Sequence, residues 1–177
     1  MTDVERLFRD YHATLVRYLT RRLGDRDWAE EVAQETFVRA LRQNALTNER
    51  AWLFTVANNL VRDDARRAAR QRQQLVLLRD EQISEAECDD VAADGDDAST
   101  AIRAHETMLA RKAVDGLAER DRMALLLREE GLNYGEIAAA LDLSVGSVGT
   151  TLSRARRRLV EGYEQMQRAD AGRQNNG

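Results

Sequence analysis

Three groups of residues in this chain are spaced for binding through charge and hydrogen bonds. Glu31, Gln34 and Glu35 recur at steps of three and four residues, opposite an apolar or small stripe at 29, 32, 33, 36, 37, 40 and 41. Such a face reads either as a solvated polar surface or as a carboxylate row that docks a basic partner helix. Arg62, Arg66 and Arg70 stand one turn apart in a run, 62–72, that carries five arginines. Guanidinium forks suit phosphate oxygens, and each neutralised phosphate releases counterions. Near a helix end the same arginines can simply complement the macrodipole, and the spacing leaves both readings open. The third group is Ser147, Thr151, Arg154 and Arg158 with Thr150, Ser153 and Arg157 beside them. Small hydroxyls followed by arginines suit a major groove, where hydroxyls approach base edges and arginines reach guanine or phosphate.

Helices must position all three groups. Val4, Leu7, Phe8, Tyr11, Leu15, Tyr18, Leu19 and Leu23 predict an amphipathic helix that ends near Gly24. A second helix is expected after Asp27, and a third from about Glu49 with Trp52, Leu53, Val56, Ala57 and Leu60 inward. On periodicity, Trp52 reads as core rather than as a base-stacking platform. Toward the C-terminus the pattern sharpens. Ala118 to Glu130 reads as a helix stopped by Gly131, and Tyr134 to Leu141 as a short second helix. After a tight turn at Asp142-Leu143, Ser144 is expected to cap a last helix whose inward stripe is Val148, Leu152, Ala155 and Leu159. These lengths, the turn and the hydroxyl-then-arginine order predict a DNA-binding helix-turn-helix in preference to a structural three-helix bundle.

Composition narrows the class. The 177 residues include 26 Ala, 21 Leu and no proline, so an all-α protein is expected, with one or two small domains. The single cysteine, Cys88, excludes an internal disulfide, and Cys88, His12 and His105 are too scattered for a zinc cluster. Cys88 reads as an inert thiol. No metal, no cofactor and no catalytic residue is expected, since neither a nucleophile–base arrangement nor a phosphate-binding loop is present. No apolar run reaches the roughly 20 residues that cross a bilayer, and the N-terminus lacks a signal-peptide core. A cytoplasmic location with no membrane insertion is therefore expected.

A net charge of −4 argues at first against a nucleic-acid partner. Split along the chain, the balance is +3 over 1–75, −8 over 76–106 and +1 over 107–177. The negative charge belongs to one segment, with nine acidic residues from Asp80 to Asp97 and little apolar periodicity. That segment is expected to be a flexible linker, either a plain tether or an acidic mimic of nucleic acid. The expected organisation is an N-terminal helical domain over 1–75, a linker over 76–106, a helix-turn-helix domain over 107–165 and a disordered tail over 166–177.

With both ends read, the chain resembles the bacterial RNA polymerase sigma factors of the extracytoplasmic-function (ECF) type. Ala29-Glu30-Glu31-Val32-Ala33-Gln34-Glu35-Thr36-Phe37-Val38-Arg39-Ala40 is similar to the family's core-polymerase-binding motif. Ala51-Trp52-Leu53-Phe54-Thr55-Val56-Ala57-Asn58-Asn59-Leu60 is similar to its promoter-melting helix, and Asp63 with Arg66-Arg67 continues it. Leu125-Leu126-Leu127-Arg128-Glu129, Tyr134-Gly135-Glu136-Ile137-Ala138 and Leu152-Ser153-Arg154-Ala155-Arg156 match the domain that reads the minus-thirty-five element.

The resemblance implies roles. Glu31, Gln34, Glu35 and Phe37 would bind core RNA polymerase at the clamp helices of its largest subunit, with the flap as a further contact of the factor. Asn48, Trp52, Asn59, Arg62, Arg66 and Arg67 would meet minus-ten DNA, with a flipped base held by the loop from Gln43 to Asn48. Ser147, Thr150, Thr151, Ser153, Arg154, Arg157 and Arg158 would read the minus-thirty-five element. The acidic linker would pass through the RNA-exit region, which favours the mimic reading, and an anti-sigma factor would be a further partner. Five positions depart from the family pattern: Gly149 and Thr151 replace basic residues, Asn58 an arginine, Asp64 an aromatic and Ala118 a proline. The expected function is a promoter-specificity factor that binds core polymerase and directs initiation, in a stress or envelope regulon under anti-sigma control. The alternative is a helix-turn-helix regulator that acts without being a polymerase subunit.

Overall fold

Local chemistry sets where each helix starts and stops. The computed structural model of the protein describes residues 3–76 and 98–174. Helix α1 (Val4–Leu23) is capped by the Asp3 side chain, which accepts from the Arg6 N–H at 3.0 Å. It ends where Gly24 adopts φ 75°, a left-handed conformation that costs glycine nothing, and donates its N–H to Thr20 O. Helix α2 (Arg26–Leu41) starts a little before the expected point, because Asp25 caps it by accepting from the Trp28 N–H at 3.0 Å. Helix α3 (Glu49–Val76) begins after Asn48, whose Oδ1 accepts from the Ala51 N–H.

Helix α4 (Ala98–Asp115) precedes α5 (Glu119–Glu129), for which Ala118 supplies an N-cap residue but no side-chain hydrogen bond. Helix α6 (Tyr134–Leu141) opens on a capping box: Asn133 accepts from the Glu136 N–H at 2.9 Å while Glu136 accepts from the Asn133 N–H at 2.8 Å. Helix α7 (Val145–Gln174) is the last described element. Among the described residues there is no strand.

The chain forms two compact units. One combines residues 1–68 with 118–156, and the other combines 69–117 with 157–177. In the first, Leu7, Leu15 and Leu19 of α1, Ala29 and Ala33 of α2, and Leu53, Phe54 and Ala57 of α3 belong to the same buried cluster as Leu127, Ile137, Val148 and Leu152. The helix-turn-helix therefore shares a hydrophobic core with the N-terminal helices. Each fully buried leucine there contributes about 1.5–3 kcal/mol. Tyr18 meets Phe54 edge-on at 5.2 Å between centroids.

In the second unit Leu109, Ala113 and Leu117 are buried, and His105 Nε2 lies 2.7 Å from Asp170 Oδ2. Two expectations meet a different outcome there. Residues 98–106, assigned to the linker, are helical from Ala98 onward. Residues 166–174, assigned to a disordered tail, continue α7 to Gln174, supported by the Glu164–Arg168 pair at 3.2 Å and the His105–Asp170 contact. The acidic stretch 80–97, Cys88 and residues 175–177 lie outside the described residues.

Candidate nucleic-acid and protein interfaces

On α2, Glu31, Gln34 and Glu35 are exposed side by side. Glu35 is steadied by Arg39, whose Nε donates to it at 2.8 Å. The row borders a groove of about 300 Å³ lined by Trp28, Glu31, Val32, Glu35, Arg39, Leu60, Asp64 and Arg67. Its floor is Trp28, Val32 and Leu60, and its rim mixes the carboxylates of Glu31, Glu35 and Asp64 with the guanidinium groups of Arg39 and Arg67.

Phe37 is not part of that surface. It is 5% exposed and packs edge-on against Phe8 at 5.1 Å, with His12 at 6.0 Å. Its place is the core, so its expected role as a docking contact is corrected to one of holding α1 against α2.

The arginine face of α3 is as the spacing predicts. Asn59, Arg62, Arg66 and Arg67 are all exposed. Asp63 lies 3.8 Å from Arg66 and Asp64 3.8 Å from Arg67, loose surface pairs that salt screens easily. Trp52 is half-buried against the core cluster. Asn48 is exposed, yet its amide oxygen already serves the first turn of α3.

On α7, Thr150 and Ser153 are exposed, as are Arg157 and Arg158 farther along. Ser147 bonds locally: its hydroxyl donates to Ser144 O at 2.8 Å and lies 3.0 Å from the Ser144 hydroxyl. Ser144 thus meets a side chain where the sequence suggested a hydroxyl accepting a backbone N–H.

Two expected readers face elsewhere. Thr151 is 6% exposed, because it falls between Val148 and Leu152 on the buried side. Arg154 turns toward α5, where its Nη2 donates to Asp121 Oδ1 at 2.9 Å. The Asp121 side chain is nearly fully buried, and hydrogen bonding to that carboxylate holds the Arg154 guanidinium above its ordinary pKa. A buried carboxylate needs such a partner, and Arg154 supplies it from a side chain that stays partly exposed. The Gly149 position faces the Tyr134 ring, 3.6 Å from where a Cβ would stand, an ordinary contact distance.

A polar network at the centre of the first unit was not anticipated. Asn58 is fully buried. Its Oδ1 accepts from Tyr18 Oη and from Arg22 Nη1, both at 2.7 Å, and its Nδ2 donates to Ala140 O at 3.1 Å. Burial pushes the Tyr18 hydroxyl up to about 12, against the opposing charge of Arg22. The available signal was a lone amide at helical spacing from Phe54 and Val61, which requires buried partners.

Among the described residues these features are those of a helical protein with an arginine-bearing face, a helix-turn-helix and a separate face of exposed carboxylates. The family model "Sigma-70 region 2" matches residues 7–71, and "Sigma-70, region 4" matches residues 107–159. The chain is 30% identical over 159 residues to RNA polymerase sigma factor YlaC of Bacillus subtilis, which covers 87% of this chain and 88% of that one. It is 31% identical to the ferric citrate uptake sigma factor FecI of Escherichia coli, with 85% of each chain covered. The sigma factor RpoE, solved in complex with the anti-sigma factor NepR from Bartonella quintana, shares the fold with a TM-score of 0.66 at 22% identity, over 93% of this chain and 98% of that one.

The chain belongs to the RNA polymerase sigma factors of the ECF type. Its function is to bind core RNA polymerase, recognise promoter DNA and direct transcription initiation, in a family of initiation factors rather than enzymes. Among the described residues no helix is long and apolar enough to cross a membrane.

Proposed function

We propose that Glu31, Gln34 and Glu35 form the polymerase-docking row, meeting the clamp helices of the largest subunit. Asn59, Arg62, Arg66 and Arg67 engage minus-ten DNA, with Asn48 and Trp52 at the edge of that surface. Thr150, Ser153, Arg157 and Arg158 face the minus-thirty-five element, while Ser147, Thr151 and Arg154 support the helix that presents them. The observation that carries this reading is the exposed carboxylate row of α2, set across a shared groove from the arginine-bearing α3. A factor that must hold a protein and an acidic polymer at once needs two such faces of opposite charge.

The factor works in the cytoplasm and is held in check by an anti-sigma factor until a stress or envelope signal arrives. Support comes from the shared fold with an anti-sigma-bound chain. A pull-down of core polymerase by the tagged factor, followed by run-off transcription on genomic fragments, tests the assignment. Glu35→Arg is expected to lose core polymerase while keeping its helical circular dichroism. Unchanged capture by Glu35→Arg and Glu31→Arg together would remove the docking row, and transcription unaffected by Arg62→Ala with Arg66→Ala would remove the minus-ten assignment.

A further inference from the structure

Among the described residues six large apolar side chains are exposed, and two of them open the helices of the helix-turn-helix. Tyr134, 43% exposed, is the first residue of α6, and Val145, 57% exposed, is the first of α7. Apolar surface left in water beside a binding face marks a contact that the partner completes. The Tyr134 ring has two fixed neighbours. The Arg128 guanidinium lies 5.7 Å from its centroid, and Arg128 is itself anchored by donating from Nη1 to Leu132 O at 2.9 Å. On the other helix, ring atom Cε2 stands 3.6 Å from where a Cβ of residue 149 would be. Because residue 149 is glycine, α7 puts no side chain of its own there, and the ring takes that place. Steps of four lead from Val145 through Gly149 to Ser153 and Arg157, a row whose last two members are exposed and assigned above to the DNA side. Cβ positions one turn apart are separated by about 5–6 Å, so a single methyl group between Val145 and residue 149 can touch the valine and the ring together.

We propose that Val145 and Tyr134 are specificity-determining residues: together they form an apolar contact for the 5-methyl group of a thymine in the minus-thirty-five element. The proposal rests on the reading of α7 as the helix that faces that element. In a helix-turn-helix the N-terminal residues of the second helix meet base edges while the first helix crosses the phosphate backbone. The starts of α7 and α6, where Val145 and Tyr134 stand, therefore both face the duplex. Thymine alone among the four bases presents a methyl group in the major groove, and an apolar side chain against it tells thymine from the rest. The outward hydroxyls of Thr150 and Ser153 can pair with donors and acceptors alike and discriminate weakly. The valine and the anchored ring add the selectivity that those hydroxyls lack. Tyr134 supplies its share from α6, so part of the base-reading surface comes from outside the recognition helix.

Holoenzyme assembled from core polymerase and the full-length factor tests the contact. It is titrated onto a promoter fragment recovered by run-off transcription, in which each thymine of the minus-thirty-five region is replaced in turn by deoxyuridine. That replacement removes the 5-methyl group and nothing else. The wild-type factor is expected to lose about fourfold in affinity at one position, the worth of one methyl group taken out of water. Val145→Ala is expected to shrink that loss to about twofold, and Val145→Ala with Tyr134→Ala to abolish it. Tyr134→Phe keeps the ring and is expected to keep the methyl effect. If the double variant does not fold, as judged by circular dichroism, Val145→Ala alone carries the test, because its side chain stands mostly in water. A promoter with no methyl-sensitive thymine would overturn the proposal. So would a methyl effect that survives in Val145→Ala undiminished, or one that vanishes in Thr150→Ser, which keeps the hydroxyl and removes only a methyl group. Indifference to every base change across the minus-thirty-five region would count against the reading of α7 itself, whereas ordinary base sensitivity without methyl sensitivity counts against this contact alone.

Discussion

Removal of the Asn58 amide should be among the most damaging single changes in the chain. In Asn58→Ala the Tyr18 hydroxyl and the Ala140 carbonyl each lose a neutral partner, at 2.7 and 3.1 Å in the native contacts. Arg22 loses a charge-assisted bond of 2.7 Å. A buried polar group left unsatisfied costs about 1–3 kcal/mol. Arg22 keeps its bond to Glu119, so its share stays in the lower part of that range. A total of about 3–5 kcal/mol follows, a large part of the roughly 5–15 kcal/mol that a folded protein has.

Equilibrium urea unfolding followed by far-ultraviolet circular dichroism reads this directly, and Tm should fall by about 10 °C. A double-mutant cycle with Tyr18→Phe sharpens the test. In the native background Tyr18→Phe removes one hydrogen bond and should cost about 1 kcal/mol. Beside Asn58→Ala the hydroxyl has lost its acceptor, so the same change should be neutral or favourable, giving a coupling of about 1–2 kcal/mol. If Asn58→Ala costs less than about 1 kcal/mol, or the two changes add within about 0.3 kcal/mol, the network does not hold the unit together as argued.

Other outcomes follow from the same coordinates. Gly149→Ala should raise stability by up to about 1 kcal/mol, since the position is helical and a Cβ meets the Tyr134 ring at an ordinary distance; a lower urea midpoint would mean the glycine is needed for packing. Arg154→Ala should lower Tm, because the buried Asp121 carboxylate loses a partner. It should also weaken minus-thirty-five binding evenly across sequence variants in a gel-shift series, whereas relaxed specificity at one base pair would restore a base-reading role. Tyr18 makes the fold sensitive to alkali. Its hydroxyl ionises near 12 in the fold against 10 unfolded. The unfolded chain therefore binds fewer protons between those values, and stability should fall there by about 1.4 kcal/mol per pH unit. That slope should shrink in Tyr18→Phe, and equal slopes in the two proteins would refute the assignment.

The helix-turn-helix was open to sequence reading because its signals are local. Tyr134–Leu141 emerges with the expected bounds, since a capping box and an apolar stripe act within a few residues of each other. The polar row of Glu31, Gln34 and Glu35 was equally legible, because exposure opposite a strong stripe follows from a period of 3.6. Thr151 shows where that reasoning stops: it sits beside the edge of a stripe, where packing decides whether the position is covered. Phe37 lies in the apolar stripe and takes its docking role only from the resemblance; Phe8 and His12 cover it. Helix α4 reaches back to Ala98 inside a stretch whose composition suggested a linker, because mean charge over a window hides the change from Asp-rich to Ala-rich sequence at its end.

The sequence by itself determined the helical class, most helix ends, the turn between α6 and α7, and the charged faces carried by single helices. All of these depend on groups within one or two turns of each other. Tertiary structure alone decided what Arg154, Asn58 and Glu130 do. Arg154 pairs with Asp121 from 33 positions away, Asn58 bonds Ala140 across 82, and Glu130 meets Arg17 across 113. A cation on a helix surface and a cation that neutralises a buried carboxylate look alike in one dimension. Only the packing that takes the carboxylate out of water makes the second one necessary.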